Sequence, residues 1–403
     1  MSVSSQARWL HPEDDVATAL ADLKSGAAVR VETRGQSREI RLAEDIPSGH
    51  KFAIRPLASG LRVRKYGEFI GRLTAAAEAG AWIHVHNLAT CALRNPLDAD
   101  RHDGSSTLAV QETVSKTRAH VAESPVWDEV RKRLYWVDVR ERPSIYMIEA
   151  NGREQAWRMT EDIGSLVLAQ DGRLIASQRS GLIIFDPETA AFTPIVDPEP
   201  QRRANRLNDS KCDPRGRLWF GSMNPDSGVA DGSLYVLETD GTCRHVAGDL
   251  VTPNGHAWSL DGRTMYLSDT RRGYIYAYAF DVKTGDLGPG RIFADLGAFP
   301  GGPDGATTDS EGYLWSAQFN GGCLIRYAPS GAVDRVLRLP VSKPTSCAFG
   351  GDNYATLYVT TASRGLSESR LQGEPFAGHV LALDVGVRGL PPVRYSLSET
   401  LVQ

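Results

Sequence analysis

Apolar stretches of four to six residues, each set off by a glycine- or aspartate-bearing turn, recur from about residue 108 to residue 403. Aligned on the strand that follows each turn, they read Arg133-Leu-Tyr-Trp-Val-Asp138, Arg173-Leu-Ile-Ala-Ser177 and Arg217-Leu-Trp-Phe-Gly-Ser222. The series continues with Thr264-Met-Tyr-Leu-Ser-Asp269, Tyr313-Leu-Trp-Ser-Ala317 and Thr356-Leu-Tyr-Val-Thr-Thr361. Runs of this length, rich in aromatic and β-branched residues, are strand signals. Four of them follow a D-x-x-G or D-G turn: Asp171-Gly172, Asp213 to Gly216, Asp261-Gly262 and Asp309 to Gly312. The pivots Leu134, Leu174, Leu218, Met265, Leu314 and Leu357 are 40, 44, 47, 49 and 43 residues apart. That period predicts an all-β six-bladed β-propeller, in which each four-stranded unit buries its faces against its neighbours. A sandwich would not return to the same pivot six times. Second strands are predicted near 145–148, 234–238, 274–280 and 324–327. A last strand at 379–384 is predicted to pair with one near 108–113 and so close the ring.

Residues 1–94 have a different texture. The run 16–23, opened by His11-Pro12-Glu13-Asp14-Asp15 and closed by Lys24-Ser25-Gly26, carries helix start and stop signals and is predicted as a helix. Beyond it the pattern predicts short strands at 28–32, 39–42, 52–55, 62–65 and 82–85, a small mostly-β domain. On a strand, His84 and His86 would share a face, an arrangement that suits a metal or an anion. Two exposed histidines at a strand end are the plainer alternative. Residues 95–107 are polar, turn-rich and aperiodic, and read as a linker before the domain at 108–403.

Composition narrows the function classes. The net charge of −4 and the absence of a basic tract argue against nucleic acid as a partner. The five cysteines, Cys91, Cys212, Cys243, Cys323 and Cys347, are scattered and lack C-x-x-C spacing, which argues against a disulfide framework or a zinc cluster. With no signal-like or membrane-spanning run, the expectation is a reduced, cytoplasmic, soluble protein.

Four stretches in the repeat region carry unusual polar residues, nearly in one register, one per blade. They are Glu123-Ser124-Pro125-Val126-Trp127, Asn205 to Asp209, Thr252-Pro253-Asn254-Gly255 and Gly301-Gly302-Pro303-Asp304-Gly305. A lone Pro-Asp-Gly or Pro-Asn-Gly reads as a turn. Recurrence just before the repeated strand instead predicts convergence at the ring's axis. Glu123, Asn254 and Asp304 supply oxygen only, which favours a hard divalent cation such as Ca²⁺, Mg²⁺ or Mn²⁺ over Zn²⁺.

Two resemblances extend this reading. H-P-x-D-x-V-A, E-D-I-P-x-G-H-K-F-A, K-Y-G-E-x-I-G and H-V-H-N, in order over residues 9–94, resemble the small SAF-type N-terminal domain of altronate and galactarate dehydratases. That resemblance implies sugar-acid or partner contacts at His11, His50, Lys51, His84 and His86. The metal-bearing large domain of those enzymes has no counterpart here, so dehydration would need a separately encoded large subunit.

Glu-Ser-Pro-Val-Trp, Arg-x-Asn-Asp-x-Lys-x-Asp-Pro-x-Gly-Arg, Pro-Asn-Gly, Pro-Asp-Gly and Thr345 to Gly351 resemble the SMP-30/gluconolactonase/regucalcin family over about 112–403. The resemblance implies metal ligands at Glu123, Asn254 and Asp304, with Asp304 also the base. It implies substrate contacts at Arg206 and Asn208, and at Asp226, although Asn224-Pro225-Asp226-Ser227 departs from the family pattern. The implied function is metal-dependent hydrolysis of an aldonolactone to its sugar acid, coupled through the N-terminal domain to sugar-acid dehydration. The alternatives are a non-hydrolytic sugar-acid or calcium-binding platform, and the small subunit of a dehydratase.

Overall fold

The computed structural model describes residues 6–33, 36–89, 112–297, 299 and 301–397; the predicted linker 95–107 and Cys91 lie outside them. Among the described residues the chain is all-β, with one short helix, Glu368–Gly373, and one 3-10 turn, Asp352–Tyr354. No helix among them is long and apolar enough to cross a membrane. Cys212, Cys243, Cys323 and Cys347 are free thiols.

From residue 112 onward the strands form six four-stranded antiparallel sheets. Their first strands are Ala122–Asp128, Ile163–Leu168, Arg206–Cys212, Pro253–Trp258, Gly302–Thr308 and Pro344–Gly350. These six pack side by side in cyclic order, the sixth against the first. The strands on which the repeat is aligned are the second in each sheet, among them Arg133–Asp138, Thr264–Asp269 and Thr356–Thr361. The sixth sheet takes its third strand from Val380–Asp384 and its outermost from Glu112–Thr113, with Glu112 opposite Ala382. The predicted pairing of the region's last strand with one near its start is therefore present. This is the sheet arrangement of a β-propeller.

The apolar core lies between the sheets rather than at one centre. Tyr135, Val137, Ile145, Leu166 and Leu174 fill the space between the first and second sheets; Trp315, Leu324, Phe349 and Leu357 fill that between the fifth and sixth. The turn aspartates hold the first and second strands together. Asp309, fully buried, accepts from the main-chain N–H of Glu311 and Tyr313 (both 3.0 Å), Trp315 Nε1 (2.9 Å) and Arg326 Nε (2.8 Å). Asp213 is held the same way by Arg215, Arg217 and Trp219. Asp128 is held by the amides of Val130 and Arg131 and by Arg394.

Residues 6–89 form two small sheets and a hairpin. One sheet contains Ala7–Arg8, Val16–Ala19, Lys51–Ala53 and Trp82–Ile83; the other contains Arg62–Lys65, Glu68–Leu73 and Leu88–Ala89. The helix predicted over 16–23 is not formed: Val16–Ala19 is a strand in the middle of a sheet. The acidic residues that looked like first-turn helix charges are used elsewhere. Asp14 accepts from the N–H of His11 and Gly67, and Asp15 from the N–H of Arg64. The strand predicted over 82–85 stops at Ile83, and His84 to Asn87 form a turn closed by Asn87 N–H to His84 C=O at 3.0 Å. His84 and His86 therefore share no strand face.

This module is seated on the propeller. Leu57 bridges to Gly228, and Val251 from the sheets completes the module's second apolar cluster with Leu57, Leu61 and Val63. Arg62, almost wholly buried, donates to the carbonyls of Phe299 and Gly301, directly ahead of the fifth sheet's first strand. Arg72 pairs with Asp295 at 2.9 Å, and Glu13 with Lys343 at 3.2 Å.

Candidate active site

The stretches that carry the unusual polar residues are not turns. Pro253-Asn254-Gly255 and Pro303-Asp304-Gly305 lie inside first strands, each at a register shift in the pairing with the second strand. Glu123 and Asn208 sit at equivalent shifts, and the remaining two first strands carry theirs at Ile163/Ser165 and Pro344/Ser346. A bulge places an extra residue out of the ladder and re-aims its side chain. All six first strands carry such a shift, and those at Glu123, Asn208, Asn254 and Asp304 present polar side chains to one cavity.

The backbone chemistry explains the local sequence. Gly255 has φ +59, and a Cβ there would lie 2.5 Å from the Asp304 carbonyl. In the first sheet the same job falls to Ser124, a non-glycine residue at φ 52. It is held there by its hydroxyl, which accepts from Leu166 N–H at 2.9 Å, and by its own N–H, which donates to Glu123 Oε2 at 2.9 Å.

Asn254 is the hub. Its amide nitrogen donates to Asp304 Oδ1 at 2.6 Å and to Thr270 Oγ1 at 2.8 Å; its oxygen accepts from Asn208 Nδ2 at 2.5 Å. Burial, then the charges of Glu123 and Asp209, push the Asp304 carboxyl well above the ordinary aspartate range. Glu123, partly open to the cavity, is raised to about 8 by enclosure in protein and then by Asp209. Arg206 is buried; its Nη1 donates to Leu207 C=O at 2.9 Å, and its Nε finds no partner among the described residues. Burial lowers its pKa to about 10 against the pull of Asp162.

All of these line one cavity of about 300 Å³: Glu123, Arg206, Asn208, Asn254 and Asp304 on the sheet side, with Asp226 at its edge. Asp226 is largely exposed and lies 3.6 Å from Arg140. Asp209 is a participant missed as a single residue in the sequence. It anchors the Gly255 N–H at 2.7 Å and faces His256 at 3.5 Å, and its only sequence signal is its place beside Asn208.

The histidines of the module do not reach this cavity. His50, His84 and His86 gather around Trp82, with His50 and His84 stacked at 5.0 Å. His11 packs against Gly67, and Lys51 lies on the strand beside His50.

Among the described residues no three His, Cys, Asp or Glu side chains gather as a metal-binding group. The candidate donors here are two carboxylates and an amide. They fit a hard cation on one observation: Glu123 and Asp304 are enclosed carboxyls, each raised by burial and by a neighbouring carboxylate, a conflict that a shared divalent charge would relieve.

Residues 121–363 match the SMP-30/gluconolactonase/LRE-like region, and residues 6–91 match the altronate/galactarate dehydratase SAF domain. The chain is 34% identical to regucalcin of Gallus gallus over 292 residues, covering 71% of this chain and 98% of that one. It is 34% identical to pentonolactonase XacC of Haloferax volcanii over 287 residues, 70% and 96% of the two chains. A calcium-binding protein, regucalcin, from Agrobacterium tumefaciens superposes with a TM-score of 0.68 at 27% identity, covering 71% of this chain and 97% of its own.

Proposed function

The chain belongs to the SMP-30/gluconolactonase/LRE-like family, and from that membership we propose that it is a hydrolase that opens a sugar lactone to the sugar acid. The observation that carries this reading is the meeting of Glu123, Asn208, Asn254, Asp304 and Arg206 on one cavity from four separate sheets. We take the six sheets as the six blades of the propeller, residues 108–403, and residues 1–94 as a distinct module joined to it.

Glu123, Asn254 and Asp304 would hold a divalent cation, with Ca²⁺, Mg²⁺ or Mn²⁺ favoured by their oxygen donors and Zn²⁺ less so. When bound, it supplies Lewis-acid polarisation of the lactone carbonyl and an acidified water. Asp304, whose carboxyl is raised by burial, accepts the proton of the attacking water. Arg206, which lines the cavity, offers its guanidinium to the oxyanion that develops on the former carbonyl oxygen. Asn208, anchored through its amide nitrogen to Pro253 C=O at 2.9 Å, presents its oxygen to a ring hydroxyl. The bond from the carbonyl carbon to the ring oxygen then breaks, and the proton held on Asp304 passes to the departing alkoxide. Acid release from a panel of aldonolactones, with each of the four metals, tests the reading. Hydrolysis should be nearly abolished in Asp304→Ala, and a retained rate would overturn the assignment.

The SAF match supports a further step in this reading: the released acid is dehydrated next, with the module docking a separately encoded dehydratase large subunit. Co-purification of such a subunit with the full chain is the check.

A further inference from the structure

We propose that the N-terminal module forms one wall of the substrate cavity and, with arginines from the propeller, selects a lactone that carries a second carboxylate away from the scissile ester. This rests on the lactonase reading above and names its substrate class. The cavity is closed on one side by Trp9, Arg38, Arg55 and Arg64 of the module and on the other by the propeller. Eight arginines and six carboxylates line it.

The carboxylates are already engaged. Glu123 and Asp304 belong to the hydrolytic end. Arg64 holds Glu13 at 2.9 Å, and Arg55 holds the buried Asp15. Asp14 accepts the N–H of Gly67 at 2.7 Å, and Asp226 is too exposed, at 72% of its side chain, to neutralise a buried charge.

Two of the arginines are left without an anion. Arg38 lies over the Trp9 ring at 5.3 Å, and Arg271 sends its guanidinium to the main-chain oxygens of Ser227 and Pro225. Among the described residues neither has a carboxylate within ion-pair distance. Arg55 keeps a buried Nη1 that has no hydrogen-bond partner. These groups repel one another. Burial and then the charge of Arg55 bring Arg271 down to about 9, and the same two causes lower Arg38. Like charges enclosed in this way are held at a cost that a bound anion removes, and planar guanidinium forks match a carboxylate. A neutral polyol would leave that charge without a partner.

The test uses the full chain with Mn²⁺ and two lactones of one ring size, D-glucaro-1,4-lactone and D-glucono-1,4-lactone. The carboxylate-bearing lactone should be preferred in kcat/KM by about tenfold or more, as expected for one added charge-assisted contact. In Arg38→Gln, and separately in Arg271→Gln, that preference should fall about tenfold. Calorimetric titration of D-glucarate against D-gluconate gives a readout without turnover: the diacid should bind more tightly in the wild type, and less so in either variant. Equal use of the two lactones, a preference unmoved in both variants, or a stronger preference for a 6-phosphorylated lactone would overturn the inference. If neither lactone is opened while the diacid still binds more tightly, the lactonase reading fails and the acid-binding wall stands.

Discussion

Asp304 and Asp309 lie five residues apart, at the start and just past the end of one strand, and both are buried. Their surroundings are opposite. Asp309 is held by two main-chain amides, an indole N–H and the Arg326 guanidinium. Asp304 takes only the Asn254 amide and the Gly305 N–H among the described residues, and faces the carboxyls of Glu123 and Asp209. The same contrast separates Asp128 from Glu123 in the first sheet. Burial alone would raise Asp128, but Arg394 and the amides of Arg131 and Val130 outweigh it and hold that carboxyl below its ordinary range. One ring of carboxylates is fully satisfied and ties strands together at the turns; the other is undersupplied with positive charge and gathers at the cavity. The distinction between a structural and a chemical carboxylate here lies in what surrounds it, not in its depth.

Substitutions should separate the two classes. In Asp304→Asn, hydrolysis should fall by about a thousandfold, the scale of a lost general base, while the melting curve shifts little. Asp309→Asn should do the reverse. It sets an amide NH2 against the Trp315 Nε1–H and Arg326 Nε–H donors, though Arg326 keeps Glu311 and Asp334, and should cost about 3 kcal/mol in denaturant unfolding, with the rate per folded molecule nearly unchanged. Glu123→Gln should weaken Mn²⁺ binding about tenfold, read by calorimetry, because ligand charge sets affinity at oxygen sites.

The smallest effect concerns acid. Asp128 has a folded pKa below its unfolded value, so it adds stability that is complete above the ordinary aspartate range of about 4 and is lost as pH falls through the lower, folded value. Arg394→Ala removes the cause and should flatten that part of the pH–stability curve. An unchanged acid limb would mean that Asp128 does not belong with Asp309.

Much of the repeat was legible because four of its six units carry the same local instructions, a turn aspartate and a glycine at positive φ ahead of the aligned strand. The second strands at Arg133–Asp138, Thr264–Asp269 and Thr356–Thr361 fall where the pattern puts them. The candidate site was readable as a residue set, through motifs, but not as a geometry. Pro-Asp-Gly and Pro-Asn-Gly look like turns, and only the neighbouring strand makes them bulges. The helix expected over 16–23 failed for a related reason, since the partners of Asp14 and Asp15 lie about fifty residues away. Arg38 and Arg55 carried no sequence signal of their own, because the cavity they line exists only where parts of the chain far apart in sequence meet.

The sixth sheet joins Glu112–Thr113 to Val380–Asp384. During synthesis the outermost strand emerges more than two hundred residues before its partner, so this sheet cannot be completed until residues 380–384 have left the ribosome. The preceding module makes most of its contacts within itself, and is free to fold in that interval. Its seat on the propeller must wait, and with it the far wall of the cavity. Assembly of the site is thereby tied to synthesis through residue 384, and a chain stopped before it would carry the module without a complete sixth sheet.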